Sequence, residues 1–409
     1  MNTLRLLAAT GPTLADHHDE FGPLPKSTAE TVLKSLQQAG LTGRGGAGFP
    51  TGRKFASVTG RKPVVIGNGA EGEPLSEKDA VLIARAPHLI LDGLQIAADT
   101  VRADKAFLYV PADAATTVRR AIDERVAARL DRHRMTVVEA PDTFVAGEES
   151  AVIRRVEGGP GLPRDKKVLT SVSGLKGRPT LVNNVETLAH VALIARHGPS
   201  WFRSLGDPAD PGTMLITLSG MSAKRRVLEI PTGTPLTDVI ARGGVTDLSD
   251  VGAILVGGYH GNWIPASAVA GVALSRAGLA EFGASPGAGI VHVLPIGECG
   301  LARTAEIVAY LAEQGARQCG PCRNGLPRLA ALFDDLAYGR VDDGLLDDLQ
   351  SMLGLVDGRG ACRHPDGTVR LARSALETFA SDVAAHRSGR CNAALAAPST
   401  DAPRNRHSA

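Results

Sequence analysis

The chain has 409 residues, of which 43% are apolar and 22% charged, a composition typical of globular proteins with two or three domains of roughly 100–200 residues each. Its 45 basic and 43 acidic side chains leave a net charge of only +2, which gives no reason to expect nucleic acid or an anionic membrane as a partner. No apolar run reaches the roughly 18 residues that cross a bilayer, and no signal peptide is recognised, so we expect no direct membrane insertion.

The cysteine content indicates a reducing compartment. The chain has five cysteines, and an odd number in a long chain without a secretion signal argues against a disulfide framework. We therefore expect a cytoplasmic location.

Residues 1–205 are predicted to form an α/β domain. Strand-like and helix-like segments alternate along them, at 63–73, 87–101, 105–111, 113–130 and 134–141. This alternation is typical of a mostly parallel sheet covered by helices. Ligands of such sheets bind in loops beyond the carboxyl ends of the strands.

Two further modules and a tail follow. Residues 206–295 are predicted to form a small β-rich module with one short helix, and we find no catalytic constellation in them. Residues 296–387 contain amphipathic stretches that predict a small helical bundle, at 304–318, 325–339, 342–356 and 368–386. Residues 388–409 are small and polar, which predicts a disordered tail.

A glycine-rich segment, "GRGGAGFPTGRKF" at 43–55, has neither the spacing of a dinucleotide-binding fingerprint nor that of a P-loop. Glycines nevertheless let a backbone approach a cofactor closely, and consecutive N–H groups form a concavity that binds anions. Arg44 and Lys54 carry charges that can neutralise a phosphate. The alternative interpretation is a glycine-rich surface turn.

Two carboxylates, Glu71 and Glu73, lie in the loop "GNGAEGEP" after the first predicted strand. Carboxylates so placed can accept hydrogen bonds from ribose hydroxyls or from the edge of a flavin ring. A solvated acidic loop is the alternative.

Two more polar motifs precede predicted helices. Glu148 and Glu149 follow Gly147 at the start of "GEESAVIRRV", where acidic residues also suit the positive end of a helix dipole. Asn183 and Asn184 offer amide groups before "VETLAHV", where an asparagine also serves as a helix N-cap. Each motif therefore has a structural as well as a ligand-binding interpretation.

In this order, the segments "GRGGAGFPTGRKF", "GNGAEGEP", "AGEESAVIRRVEG" and "GRPTLVNNVETLA" resemble one family. It is the NADH-oxidising flavoprotein subunit of bacterial NADH–quinone oxidoreductase (respiratory complex I), a module that recurs in NAD-linked hydrogenases and formate dehydrogenases. The resemblance extends over residues 5–385. It implies an α/β FMN-binding domain, a small β-grasp (SLBB-like) module and a C-terminal helical bundle that holds a [4Fe–4S] cluster.

The resemblance also implies two sets of cofactor-binding residues. Those near FMN are Gly43, Arg44, Gly45, Gly46 and Lys54 along its phosphate and ribityl chain, Asn68 and Glu71 facing the flavin, and Asn183 and Asn184 on its far side. Those near NADH are Glu73, Glu148 and Glu149, with Gly147 in the same turn, and the aromatic residues Phe49 and Phe144. No catalytic side chain is implied, because hydride passes directly from nicotinamide to flavin N5.

The implied chemistry requires a flavin. NADH gives up two electrons as a hydride, whereas an iron–sulfur cluster accepts one electron at a time, so a cofactor that does both must lie between them. The implied partners are a ferredoxin-like iron–sulfur protein or other respiratory-complex subunits, with this chain at the periphery of a membrane complex.

The cluster motif departs from the family. The family pattern is C-G-x-C-x-x-C with a distant fourth cysteine, whereas "ARQCGPCRNG" retains only Cys319 and Cys322, and Cys362 matches the distant ligand. A [4Fe–4S] cluster normally has four protein ligands. One thiolate is therefore missing: either Ala316 occupies the first position or the third position is deleted.

Several outcomes stay open at this cysteine motif. Cys299, Cys391, His364 or a partner's side chain can complete an iron–sulfur site. The alternatives are zinc bound with the help of His364, a redox dithiol, or no metal.

The dinucleotide motifs depart as well. Ala70 stands where the family has Asp, Phe144 where it has Tyr, and Leu169 where an aromatic residue is common. By analogy with nucleic-acid sites, lost base stacking costs on the order of 1–3 kcal/mol, so we expect FMN binding to be better retained than NADH binding. Two alternative functions follow: an FMN-binding conduit that receives electrons from a ferredoxin, and a docking subunit without redox activity.

Overall fold

The structure is a computed structural model and describes residues 4–165, 168–221 and 224–393. Its first part is built on a parallel sheet with the strand order β3-β2-β1-β4. The strands are β1 (Val64–Asn68), β2 (Lys105–Pro111), β3 (Met135–Ala140) and β4 (Thr180–Asn184). The carboxyl ends of β1 and β4 lie side by side, because Asn68 is paired in register with Asn184. The prediction of a parallel α/β sheet is confirmed, and β4 adds a strand that the sequence analysis did not assign.

The helices of this part are α1 (Leu14–Phe21), α2 (Ala29–Ala39), α3 (Thr51–Ala56), α4 (Lys78–Arg85), α5 (Pro87–Val101), α6 (Ala112–Ala127), α7 (Glu149–Val156) and α8 (Val185–Phe202). Almost all of α5 is buried, and so is α8 from Val185 to Ile194. Such helices form the interior of a layered fold. In the described residues no single helix is both long and apolar enough to cross a bilayer; α4 and α5 satisfy that test only as a pair, which is bent by 96°.

A mixed sheet follows, with the strand order β10-β9-β11-β7-β8. Its strands are β7 (Thr213–Ser219), β8 (Arg226–Pro231), β9 (Val251–Val256), β10 (Asn262–Pro265) and β11 (Ile290–Pro295), with α9 (Leu236–Ala241) after β8 and a small ribbon, β5 (Gly206–Asp207) and β6 (Asp210–Pro211), before β7. β7 and β11 are parallel, and the other neighbouring strands are antiparallel.

Two buried carboxylates attach this sheet to the first part. Glu186 of α8 accepts a hydrogen bond from the N–H of Leu215 at 2.8 Å. Glu229 of β8 accepts hydrogen bonds from the N–H groups of Leu6 and Leu7. Buried carboxylates are stable only when such donors surround them, so these contacts fix the relative position of the two sheets.

The last part is helical, with α10 (Gly300–Gln314), α11 (Leu326–Ala337), α12 (Leu345–Val356), α13 (His364–Thr378) and α14 (Ala380–Arg387), and a π-helical turn at Pro321–Gly325. The prediction of a helical C-terminal region is confirmed. Trp263 of β10 lies inside this region, where its indole N–H donates to Thr304 Oγ1 at 3.0 Å.

Two details correct the sequence analysis. The stretch predicted as one helix at 368–386 is broken at Phe379, whose backbone leaves the helical region (φ −105°, ψ 31°) while its ring packs on Trp263 at 5.3 Å. Residues 388–390, predicted as the start of a tail, continue from α14 in a turn in which their N–H groups donate to the carbonyls of Ala385 and His386. Residues 394–409 of the predicted tail lie outside the described residues.

Candidate functional site

A cavity of about 600 Å³ opens at the carboxyl ends of β1 and β4. All three parts of the chain contribute to its wall. Its volume lies within the range of about 300–1,000 Å³ that is common for ligand sites. Its position is where an α/β sheet binds ligands.

The structure brings nearly all predicted cofactor-binding residues to this wall. They are Gly43, Gly45, Gly46, Phe49, Lys54, Asn68, Glu71, Glu73, Phe144, Gly147, Glu148, Glu149, Asn183 and Asn184. Cys362 lies in the same wall, whereas the described lining does not include Cys319 and Cys322.

Arg44 is the predicted residue that is not brought to the wall. Its guanidinium is buried and pairs with Asp210 at 3.2 Å, and it also donates to the carbonyl of Pro211. Its backbone N–H donates to Thr187 Oγ1 at 2.8 Å. The predicted phosphate contact of the Arg44 guanidinium is therefore corrected: this charge holds the glycine loop on the β5–β6 ribbon.

The glycine loop is closed on itself. The N–H of Gly43 donates to the carbonyl of Phe49 at 2.9 Å, and the N–H of Thr51 donates to that of Leu41 at 2.8 Å. Between these contacts Gly46 has a φ of +105°, a backbone conformation that residues other than glycine rarely adopt. The loop therefore presents main chain to the cavity, and the ring of Phe49, 52% exposed, stands at its rim.

The two adjacent asparagines have different environments. Asn184 caps α8 by accepting from the N–H of Glu186 at 3.0 Å, and it donates to Asp79 at 2.6 Å. Asn183 is buried, and its Nδ2 has no acceptor among the described residues. The structural interpretation thus applies to Asn184, whereas Asn183 offers a donor to a ligand in the cavity.

The side-chain amide of Asn68 forms hydrogen bonds within the protein wall of the cavity. Its Nδ2 donates to the carbonyl of Gly147 at 2.9 Å, and its Oδ1 accepts from the N–H of Ala70 at 3.1 Å. These contacts join the loop after β1 to the turn before α7.

Glu71 and Glu73 have raised pKa values. Burial, and then the charge of Asp79, raise the pKa of Glu71 to about 7, although its carboxylate accepts from the N–H of Asp79 at the start of α4. Burial, and then the charge of Glu71, raise the pKa of Glu73 to about 8 against the opposing effect of the Tyr259 N–H, which donates to Glu73 Oε2 at 2.9 Å. Glu73 Oε1 is buried without a donor in the described ranges. Glu73 is therefore mostly protonated at neutral pH.

A buried ammonium lies beneath these carboxylates. Lys78 Nζ contacts Asp79 Oδ1 at 2.5 Å and Glu186 Oε2 at 3.0 Å. Burial opposes the charge of Lys78, but the two carboxylates outweigh burial and raise its pKa above the usual value. The cavity floor thus carries a permanent cation.

The turn before α7 and the glycine loop are linked by charge. Glu148 caps α7 by accepting from the N–H groups of Ser150 and Ala151, as the helix-start interpretation predicts. Lys54 Nζ donates to Glu149 Oε1 at 2.9 Å and to the carbonyl of Val182 at 2.6 Å. The cationic end of the loop is therefore held between β4 and α7.

Ring side chains form the part of the cavity wall that adjoins the bundle. Phe144 packs edge-on against His260 with ring centroids 4.7 Å apart, and His364 lies 5.1 Å from His260. Burial lowers the pKa of both histidines, so both are neutral near pH 7. His364 Nε2 lies 2.8 Å from the carbonyl of Leu311 and its Nδ1 lies 3.2 Å from His260, so neither nitrogen is available as a cluster ligand.

The three motif cysteines lie near enough to one another for Cys319 and Cys362 to affect the pKa of Cys322. Burial, and then Cys319 and Cys362, raise the pKa of Cys322 to about 12. The backbone before Cys319 retains a left-handed residue, Arg317 with a φ of +53°. That conformation is natural for a glycine, and Arg317 stands at the glycine position of the C-G-x-C motif when Ala316 is aligned with its first ligand.

The other sequence candidates for a fourth ligand lie elsewhere. Cys299 and Cys391 lie together with His386, at the opposite end of α10 from the motif cysteines. Among the described residues, the chain therefore provides three of the four expected thiolates at the motif.

The connections of the second sheet contribute one part of the wall that the sequence analysis missed. The turn 257–262 and the segment 285–288 line the cavity together with Lys78, Asp79 and Arg370. The sequence signal for this wall is the glycine-rich stretch "VGGYHGN", which by itself predicts only a strand connection. The module 206–295, in which the sequence analysis found no catalytic constellation, thus contributes to the wall of the cavity.

Two family profiles match the chain. Residues 36–193 match the Nuo51 FMN-binding domain, and residues 302–386 match the NADH-ubiquinone oxidoreductase-F iron-sulfur binding region. The NADH-quinone oxidoreductase F subunit 2 of Rhizobium meliloti is 29% identical over 381 residues, covering 89% of this chain and 90% of that protein. The NADH-quinone oxidoreductase F subunit of Mycobacterium tuberculosis is 30% identical over 387 residues, covering 88% and 85%.

A solved structure has the same fold. An NAD⁺-reducing [NiFe]-hydrogenase in the air-oxidised state matches with a TM-score of 0.80 and 32% identity over 88% of this chain. This chain spans 63% of that hydrogenase chain. These similarities, and a cavity built from the matching segments, show that the chain belongs to the family of NADH-quinone oxidoreductase F subunits, with its FMN-binding domain and its iron–sulfur binding region.

Proposed function

We propose that this chain oxidises NADH with FMN bound in the cavity and passes single electrons to an iron–sulfur cluster held by Cys319, Cys322 and Cys362. The observation that carries the proposal is that the glycine loop, the ends of β1 and β4 and Cys362 share one cavity wall. A flavin in this cavity is therefore adjacent to the cysteine-bearing segment.

The residues present fit FMN. When bound, FMN accepts a hydride from NADH and gives up electrons one at a time. The main chain of the glycine loop and Lys54 would bind its phosphate and ribityl chain, and Asn183 would donate through the Nδ2 that has no acceptor within the part of the chain described. The protonated carboxyl of Glu73 and the half-exposed ring of Phe49 would contact the dinucleotide. Phe144, His260 and His364 would exclude water between flavin and cluster.

The cysteines fit a cluster with three protein ligands. One iron corner would then carry a ligand from outside the chain, such as a thiol, water or a partner's side chain. That iron would lack the fourth protein thiolate that a [4Fe–4S] cluster normally has. We therefore propose a cluster that loses one iron more readily than a four-cysteine cluster.

The remaining assignments concern organisation. We propose module boundaries near residues 205, 295 and 387, and a β-grasp, SLBB-like identity for the second module, supported by its parallel β7–β11 pair within an otherwise antiparallel sheet. The partners would be other subunits of a redox complex, including a ferredoxin-like protein. The location would be the cytoplasm, at the periphery of such a complex.

The proposal predicts a flavoprotein that NADH reduces. Anaerobically purified protein should contain one FMN per chain, and its visible absorbance should be bleached by NADH. Bleaching by reduced ferredoxin but not by NADH would support the conduit function instead. A protein that contains no FMN and binds none when it is added would contradict both redox functions and leave the docking role.

Asn183→Ala should weaken FMN binding by roughly 2- to 12-fold, the equivalent of one hydrogen bond of 0.5–1.5 kcal/mol. It should not lower the melting temperature of the FMN-free protein, because the deleted donor has no acceptor there. The neighbouring Asn184→Ala is the matched control and should lower the free energy of unfolding by about 0.5–2 kcal/mol through loss of the helix cap. An unchanged FMN affinity in Asn183→Ala would contradict the proposed contact.

NADH affinity should fall as the pH rises through about 8. Glu73 is neutral below this pH and becomes an anion above it, where it repels the dinucleotide phosphates. For charges roughly 10 Å apart at an effective dielectric constant of about 20, the repulsion is about 1.5 kcal/mol, or roughly tenfold in Kd. Titration of NADH from pH 6.5 to 9 should show a larger fall in the wild type than in Glu73→Gln, in which only Glu71, with a pKa of about 7, still gains charge. The exposed Glu139→Gln is the control, and a Glu73→Gln profile identical to that of the wild type would contradict the assignment.

Ala316→Cys should restore the fourth thiolate. Iron analysis and electron paramagnetic resonance should then show a cluster that keeps all four irons through aerobic handling, whereas the wild-type cluster loses one. Cys322→Ser should reduce the iron content of either background. If Ala316→Cys changes neither iron content nor spectrum, position 316 is not the missing ligand position.

A further inference from the structure

A second group of metal-ligating side chains lies outside the proposed redox site. Cys299, His386 and Cys391 each offer one ligand atom, and these atoms lie within 4.8 Å of one another. The proposed function uses none of these residues. α10, which begins directly after Cys299 and ends just before the motif cysteines, has 15 residues and hence a length of about 22 Å.

The backbone holds both cysteines in place. Cys299 follows a turn in which the N–H of Glu298 donates to the carbonyl of Pro295 at 3.0 Å, and it occupies the N-cap of α10. Burial, and then the neighbouring Cys391, raise the pKa of the Cys299 thiol to about 11 and outweigh the N–H groups of Ala302 and Leu301 at the start of α10, which favour the thiolate.

Cys391 is returned to the bundle by the end of α14. Gly389 has a φ of +66° and donates to the carbonyl of His386, while the N–H of Arg390 donates to that of Ala385, both at 3.0 Å. This pair of hydrogen bonds is a Schellman motif, which reverses the chain at a helix end. The position of Cys391 therefore follows from hydrogen-bonded backbone.

His386 is buried and oriented as a metal ligand. Its Nδ1 lies 2.9 Å from the carbonyl of Leu336, to which it donates, so the lone pair is on Nε2. A carbonyl acceptor behind the ring fixes the tautomer of most metal-bound histidines. Nε2 faces Cys299 Sγ at a distance of 3.6 Å.

We propose that Cys299, His386 and Cys391 bind one Zn²⁺ ion, with water at the fourth position. Tetrahedral zinc with bonds of about 2.3 Å to sulfur and about 2.0–2.1 Å to nitrogen places these two ligand atoms about 3.6 Å apart, which is the distance found. Two thiolates and one imidazole are ligands that suit zinc. Binding releases the two thiol protons to solvent and involves no oxidation or reduction.

The ion has a structural role in this proposal. It joins the junction between β11 and α10 to the end of α14, and so attaches the last described segment of the chain to the bundle. The inference does not depend on the proposed NADH oxidation, because the two sites share no residue.

The test is metal analysis of the full chain, purified anaerobically and then titrated with Zn²⁺ against a chromogenic chelator. The wild type should hold one zinc per chain, and Cys299→Ser and Cys391→Ser should each bind it at least tenfold more weakly while their iron and FMN contents stay unchanged. Cys319→Ser is the matched control and should lose iron but keep zinc. His386→Gln provides a ligand variant that keeps both thiols if a cysteine variant fails to fold.

Three results would overturn the proposal. One is a wild type that holds no zinc on isolation and takes up none on titration. Another is zinc binding that survives unchanged in both Cys299→Ser and Cys391→Ser. The third is a Cys299–Cys391 disulfide in the anaerobically purified protein together with no zinc uptake after its reduction.

Discussion

The buried ammonium of Lys78 is the interaction on which the site depends. An isolated ammonium would be strongly disfavoured at this depth, so Asp79 and Glu186 must stay beside it, at 2.5 Å and 3.0 Å. Glu186 also accepts the N–H of Leu215 from the second sheet, and Asp79 accepts from Asn184 at the end of β4. One charge cluster therefore fixes α4, α8 and the second sheet around the same cavity. Removing one member would leave the others buried without compensation, which in proteins typically costs about 3–5 kcal/mol.

Local patterns predicted the parts of the site that lie close to their own strands. The loops after β1 and before α8 are recognisable because ligands of parallel sheets bind at the carboxyl ends of strands. The direction in which a side chain points could not be predicted from these local patterns. Arg44 turns to Asp210 and Asn184 to its helix cap, since partners outside the cavity are available to them. The wall formed by 257–262 could not be predicted at all, because it depends on how two sheets pack.

The segment with the motif cysteines lies beside the cavity, although it provides three thiolates where a cluster normally has four. Arg317, two residues before Cys319, has a left-handed backbone with a φ of +53°. A left-handed non-glycine residue is strained by about 1 kcal/mol or more, so the packing around the motif cysteines must hold this turn in place. The ring of Phe144 packs against the rings of His260 and His364. These contacts need no ligand. The cavity and the cysteines thus stay adjacent through packing, independently of the number of thiolates.

Helix α10 is a rigid spacer of fixed length. It starts at the cap residue Cys299, and at its other end the side chain of Gln314 accepts the N–H of Phe144 at 3.1 Å. Inserting or deleting one residue within it would rotate everything beyond that point by about 100° and shift it by about 1.5 Å. Gln314 would then point away from Phe144, and the contact between the turn before α7 and the end of α10 would be lost. The position of the Phe144 backbone therefore depends on the number of residues in this helix and not on the identity of its exposed side chains.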